Sequence, residues 1–141
     1  MKSIMLISLL FLTTALFSQN ITGHWKTIDD NTGKAKSIVK IYIKDGKAYG
    51  DIIKLLDNDE ENPLCDKCPG NRHLKPLIGL TIITGLKNDE GYWKGDDGIL
   101  DPDNGKLYDV KIWREGNKLN VRGYIGPFFR TQTWYLEESY N

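Results

Sequence analysis

Ser37-Ile38-Val39-Lys40-Ile41-Tyr42-Ile43 decides the fold class. Val39, Ile41 and Ile43 fall on one face, while Lys40 and Tyr42 share the other with Ile38, the two-residue period of a half-buried strand. Asp45-Gly46 follows, a pair suited to a tight hairpin turn, and Lys47 to Leu56 runs back. Working outward, the same grammar recurs. Thr22 to Ile28 pairs across Asp29–Gly33 with Ala35 onward. Leu80 to Leu86 is a strand, Asn88–Gly91 a turn, and Tyr92-Trp93-Lys94 a short return. Asn104-Gly105 launches Leu107 to Arg114, Glu115-Gly116-Asn117 turns the chain into Lys118 to Tyr124, and Thr131 to Leu136 closes it. No extended helical period occurs past Ser18. Eight or so short strands with turn signals between them predict an all-β fold, a single antiparallel barrel.

The stretch Trp93–Tyr108, WKGDDGILDPDNGKLY, carries four Asp, three Gly and one Pro. It reads as two tight turns, Gly95–Gly98 and Asp101–Gly105, with Ile99 and Leu100 buried between them. Its carboxylates do not form a calcium loop, because the EF-hand pattern and its distal Glu are missing. No metal site and no cofactor are expected. A glycosidase-like carboxylate pair depends on a separation that the sequence does not state. The two histidines, His24 and His73, and the absence of G-x-S-x-G leave little for nucleophilic hydrolysis.

The chain has 141 residues, one domain's worth, with Lys+Arg and Asp+Glu balanced at 19 each. That balance lacks the basic field needed to bind a phosphate backbone, so nucleic acid is not an expected partner. Residues 1–18 differ from the rest. Lys2 precedes an apolar run from Ile4 to Phe17 that ends at Ser18, the pattern of a secretory signal peptide. The competing reading is a membrane anchor, for which the run is short, since a span needs ~20 residues. Cleavage removes Lys2 and no acid, so 18 basic residues face 19 acidic ones in a mature domain, 19–141. The expected location is periplasmic or secreted, with no membrane span after cleavage.

The connection from Asp57 to Lys75 is long, polar and without alternation, and loops of that kind are functional or mobile. It holds Cys65-Asp66-Lys67-Cys68. In an exported chain the spacing reads as a local disulfide that stiffens the loop. A metal site using His73 and a redox dithiol are the alternatives. Most aromatics are core by default. For a ligand at the barrel mouth the expected contacts are Tyr42, Tyr108, Arg122, Tyr124 and Trp134, with Asp101 shaping the rim. Gly126-Pro127-Phe128-Phe129 and the cysteine loop are the expected surface for a protein partner.

Gly23-x-Trp25 on the first strand resembles the G-x-W of lipocalins. There the Trp plugs one barrel end and an Arg from a late strand packs over it, a part expected here of Arg122 or Arg130. The wider pattern covers the mature chain. It comprises Asp30-x-Thr32-Gly33-x-x-Lys36-Ser37, Cys65-x-x-Cys68, Pro76-Leu77-x-Gly79, Ile99-Leu100-Asp101-Pro102-x-x-Gly105-Lys106-x-Tyr108, Val121–Gly126 and Thr131-Gln132-x-Trp134. Together these resemble the bacterial exported DUF2147 family. One departure is Asp96-Asp97-Gly98 after Gly95, where that family tends to carry Gly-Gly. The resemblance implies a lipocalin-like β-barrel and brings no activity or catalytic residue. The function expected is binding of a small, partly apolar ligand. The alternatives are an envelope interaction module and, third, a hydrolase with a carboxylate site.

Overall fold

A computed structural model describes residues 20–140. The expected leader lies outside them. The strands are β1 (Gly23–Ile28), β2 (Ala35–Lys44), β3 (Lys47–Leu55), β4 (Thr81–Asp89), β5 (Tyr92–Asp101), β6 (Lys106–Glu115), β7 (Lys118–Ile125) and β8 (Phe128–Leu136). Each pairs antiparallel with the next, and β1 returns to β8 through Trp25↔Leu136 and Lys26↔Tyr135, so the sheet is a closed eight-stranded barrel. Closure gives every strand a neighbour on both sides, with β8 meeting β1 through its last two residues.

Alternation aims one side chain in two at the axis. Val39, Ile41, Ala48, Ile83, Leu86, Ile112 and Leu119 form the buried interior with Trp25 and Trp134. One end is sealed around Trp25, whose indole N–H donates to the Ile21 carbonyl at 2.9 Å. The arginine over that ring is Arg114, 5.2 Å from its centroid, and neither Arg122 nor Arg130. The reason is register. Arg114 lies opposite Leu119 at the sealed end, Arg122 faces outward, and Arg130 lies toward the far end of β8, ion-paired with Asp30. Arg114 also donates to the carbonyls of Gly116 and Asn20, both at 2.7 Å. At the opposite end Gln132 joins Arg130 on Asp30, and Lys36 pairs with Asp103.

The short return expected at Tyr92–Lys94 is a full strand. Gly95–Gly98 is not a turn but a bulge inside β5, where the register with β6 slips between Gly95 and Ile99. Packing decides this. A Cβ on Gly95 or Gly98 would lie 2.7 or 2.6 Å from the Leu86 side chain, so bare glycines let β5 pass over it. Asp97 takes φ 50 and donates its N–H to Asp109 at 2.9 Å. The second expected turn is present. Gly105 N–H meets the Asp101 carbonyl at 2.7 Å, and the Asp101 carboxylate accepts from Asp103 N–H at 2.9 Å.

Successive residues of a strand face opposite sides, yet Leu100 is as buried as the interior. The long connection covers it. Cys65 and Cys68 form a disulfide with Cα atoms 5.4 Å apart, are themselves buried, and join one apolar cluster with Leu80, Ile82 and Leu100. Cys65 Sγ lies 3.8 Å from the Pro102 carbonyl. Backbone bonds from Cys65 to Lys75 and from Leu77 to Pro63 fold the connection into a flap, with a single 3-10 turn at Gly70–Arg72.

Candidate functional site

The flap creates a groove on the barrel's outer wall. Counting back from the Asp45-Gly46 turn puts Tyr42 opposite Tyr49, both outward, and their rings stack at 5.9 Å with an interplanar angle of 19°. Asp51 lies behind them. One of its oxygens accepts from Tyr42 Oη at 3.3 Å and from Thr81 Oγ1 at 2.7 Å. Burial first, then the Asp51 charge, pushes the Tyr42 phenol above its ordinary value, so it stays a neutral donor. From the flap, Arg72 donates to the Thr81 carbonyl at 3.1 Å, which fixes its guanidinium against β4. The groove encloses about 580 Å³, and its lining brings Lys44, Arg72 and Lys75 together with Ile78 and the two tyrosines. Among the described residues no carboxylate lines it. The arrangement can hold an anionic group beside a flat or apolar body.

A smaller hollow of about 300 Å³ lies outside β5 and β6, lined by Lys94, Asp96, Asp109, Lys111 and Tyr124. Among the described residues no group of three or more His, Cys, Asp or Glu is placed to hold a metal. No helix there is long and apolar enough to cross a membrane.

The six contacts expected at the barrel mouth do not converge. Tyr42 belongs to the flap groove. Tyr124 lines the smaller hollow, and Arg122 lies beside it on the same outer wall. Tyr108 has the inward parity of Val110, lies against bare Gly123, and its hydroxyl accepts from Asn104 at 2.9 Å. Trp134 is an interior residue whose indole N–H donates to Gln132 at 3.1 Å. Asp101 is occupied with its own turn. Sequence reasoning missed Tyr49, Arg72, Lys75 and Thr81. Tyr49 was readable from hairpin register, but no local signal places Arg72 or Lys75 against β4.

A closed up-and-down barrel with Gly-x-Trp on its first strand and an arginine over the indole defines a lipocalin-like protein. A solved protein of the lipocalin family from the human pathogen Helicobacter pylori has the same fold. Its TM-score is 0.72 at 21% identity, over 84% of this chain and 83% of that one. The chain belongs to the family described as an uncharacterized protein conserved in bacteria, DUF2147, whose model matches residues 23–135. No curated protein matches it.

Proposed function

We propose that the protein binds a small, partly apolar anion in the groove between the flap and the outer wall of β2–β4. The carrying observation is that lining: among the described residues, a stacked tyrosine pair, three cations and no carboxylate around about 580 Å³. Small-molecule sites combine such aromatic walls with a few placed polar groups in ~300–1,000 Å³. The interior is a weaker host. It is filled by side chains, tightly enough that a methyl on Gly50, Gly95 or Gly98 already meets its neighbours at 2.6 to 3.0 Å. The lipocalin-like fold supports ligand binding as a class. We place the function outside the cytoplasm. The leader pattern supports that, as does the Cys65–Cys68 bridge, since disulfides persist in oxidising compartments.

Titration with 1-anilinonaphthalene-8-sulfonate, an anionic aromatic fluorophore, tests the groove. Binding should weaken at least tenfold in Arg72→Gln/Lys75→Gln, while Phe128→Ser leaves it unchanged. If the probe binds both variants as it binds the parent, the groove is not the site.

One observation favours a second reading, a protein contact through the β7–β8 hairpin. Phe128 is 76% exposed there, between Ile125 at 59% and Phe129 at 60%. Large exposed apolar residues in contact mark interaction surfaces. Crosslinking at position 128 in whole cells should then trap a discrete partner, and capture of none removes this reading.

A further inference from the structure

The outer wall of β5–β7 carries a feature that hairpin chemistry does not require. Lys94 stands directly opposite Lys111, and Lys111 directly opposite Arg122. Adjacent strands lie ~4.8 Å apart, so three cations form one row across the sheet. Like charges directly opposite destabilise a sheet, and a chain with as many acids as bases has the means to alternate them. Aromatic rings flank the row on both sides. The Lys111 ammonium sits 3.9 Å from the Tyr92 centroid and 5.6 Å from that of Trp113. The Arg122 guanidinium lies 5.0 Å from Trp113 and 4.5 Å from Phe129. Lys94 is paired with Asp89 at 3.1 Å, but among the described residues Lys111 and Arg122 are in no ion pair. The rings thus hold the cations in place without neutralising them.

We propose that this wall is a binding surface for an acidic glycan, a sugar chain bearing carboxylate or sulfate groups. The cation row takes the anionic substituents, while Trp113 and Tyr124 offer flat faces to the apolar C–H side of a sugar ring. The hollow beside the row holds the third component. Asp96 and Asp109 line it and provide acceptors for sugar hydroxyls. The same two carboxylates repel any polyanion, but a sugar chain offsets this by donating its hydroxyls to them. A deoxyribose-phosphate backbone has no such donors, so single-stranded DNA fits this wall less well. The surface shares no lining residue with the flap groove. It therefore stands or falls independently of the small-anion site.

Isothermal titration with alginate oligosaccharides and with heparin oligosaccharides tests the proposal, with neutral dextran and oligo-dT as comparisons. At least one acidic glycan should bind, dextran should not, and oligo-dT should bind at least tenfold more weakly. Lys111→Gln/Arg122→Gln should cost at least tenfold in affinity. Trp113→Ala should cost severalfold, a loss that simple attraction between charges does not predict. Circular dichroism melts verify that each variant folds, and should a variant at 113 not fold, Tyr124→Ala replaces it. Three results overturn the proposal: no acidic glycan binds, oligo-dT binds as tightly, or binding persists in the charge variant.

Discussion

Gly105 shows how one atom governs the flap. A Cβ there would lie 1.8 Å from the Lys67 carbonyl oxygen, and its φ of 73 disfavours any side chain. Gly105→Ala must push the flap off the β5–β6 turn, and we expect a loss of at least ~2 kcal/mol in urea unfolding. An unchanged midpoint would mean that the flap is loosely seated. Asp29 acts through its charge instead. The backbone N–H groups of Asn31 and Thr32 donate to its carboxylate and hold its pKa below the ordinary value. A folded value below the unfolded one means that the contribution is complete above the unfolded value of 3.8 and is lost as pH falls through the folded one. The Asn31 and Thr32 amide resonances should therefore shift on acidification below about pH 4, and Asp29→Asn should abolish the shift. Flat titration curves in the parent would refute this. Asp in turns was legible from sequence because its partners lie two or three residues away. Arg114 over Trp25 was not, because the two are joined only by barrel closure.

Among the elements, β5 and the flap depart furthest from local expectation. Gly95-Asp96-Asp97-Gly98 has turn composition, yet it continues the strand because Leu86 needs the volume that two side chains would occupy. Gly98→Ala should cost about 1–3 kcal/mol by overpacking. Leu86→Ala should then cost less in the Gly98→Ala background than it does alone, and a strictly additive double mutant would show that the two positions do not share the space. The flap owes its order to different physics. Its disulfide closes so short a loop that it contributes little to global stability. Reduction should leave the melting temperature within a few degrees while weakening binding of the sulfonate probe, since Arg72 and Lys75 ride on the flap. Equal probe affinity in oxidised and reduced protein would separate the bridge from the groove.

For the molecule as a whole, the closing seam is its thinnest join. β1 meets β8 through two register pairs, whereas β2 and β3 share eight. Opening should begin there, because the weakest ladder has the lowest local free energy of separation. Hydrogen exchange should deprotect the Lys26 and Tyr135 amides, and that of Glu137, which donates to the His24 carbonyl, before those of Val39 to Ile43. Equal protection on both ladders would show that the Trp25–Arg114 seal stabilises the join as fully as a longer ladder would. Closure also decides which residues are surface and which are interior, and this scattered the expected contacts. Tyr108 turns inward while Arg122 and Tyr124 turn outward, although all three lie on neighbouring strands.

Period-two alternation and turn residues by themselves determined that this chain is all-β and close to eight strands, and the resemblance of its motifs to a known family implied that it is lipocalin-like. Each of those signals acts over a few residues and survives in any single sequence. Only the tertiary structure decided that the arginine over Trp25 is Arg114, that Gly95–Gly98 bulges rather than turns, and that the roomier groove lies outside the barrel. Those outcomes depend on register between strands and on volume shared by residues far apart in the chain, Leu86 against Gly98 and Lys67 against Gly105. No local pattern encodes them.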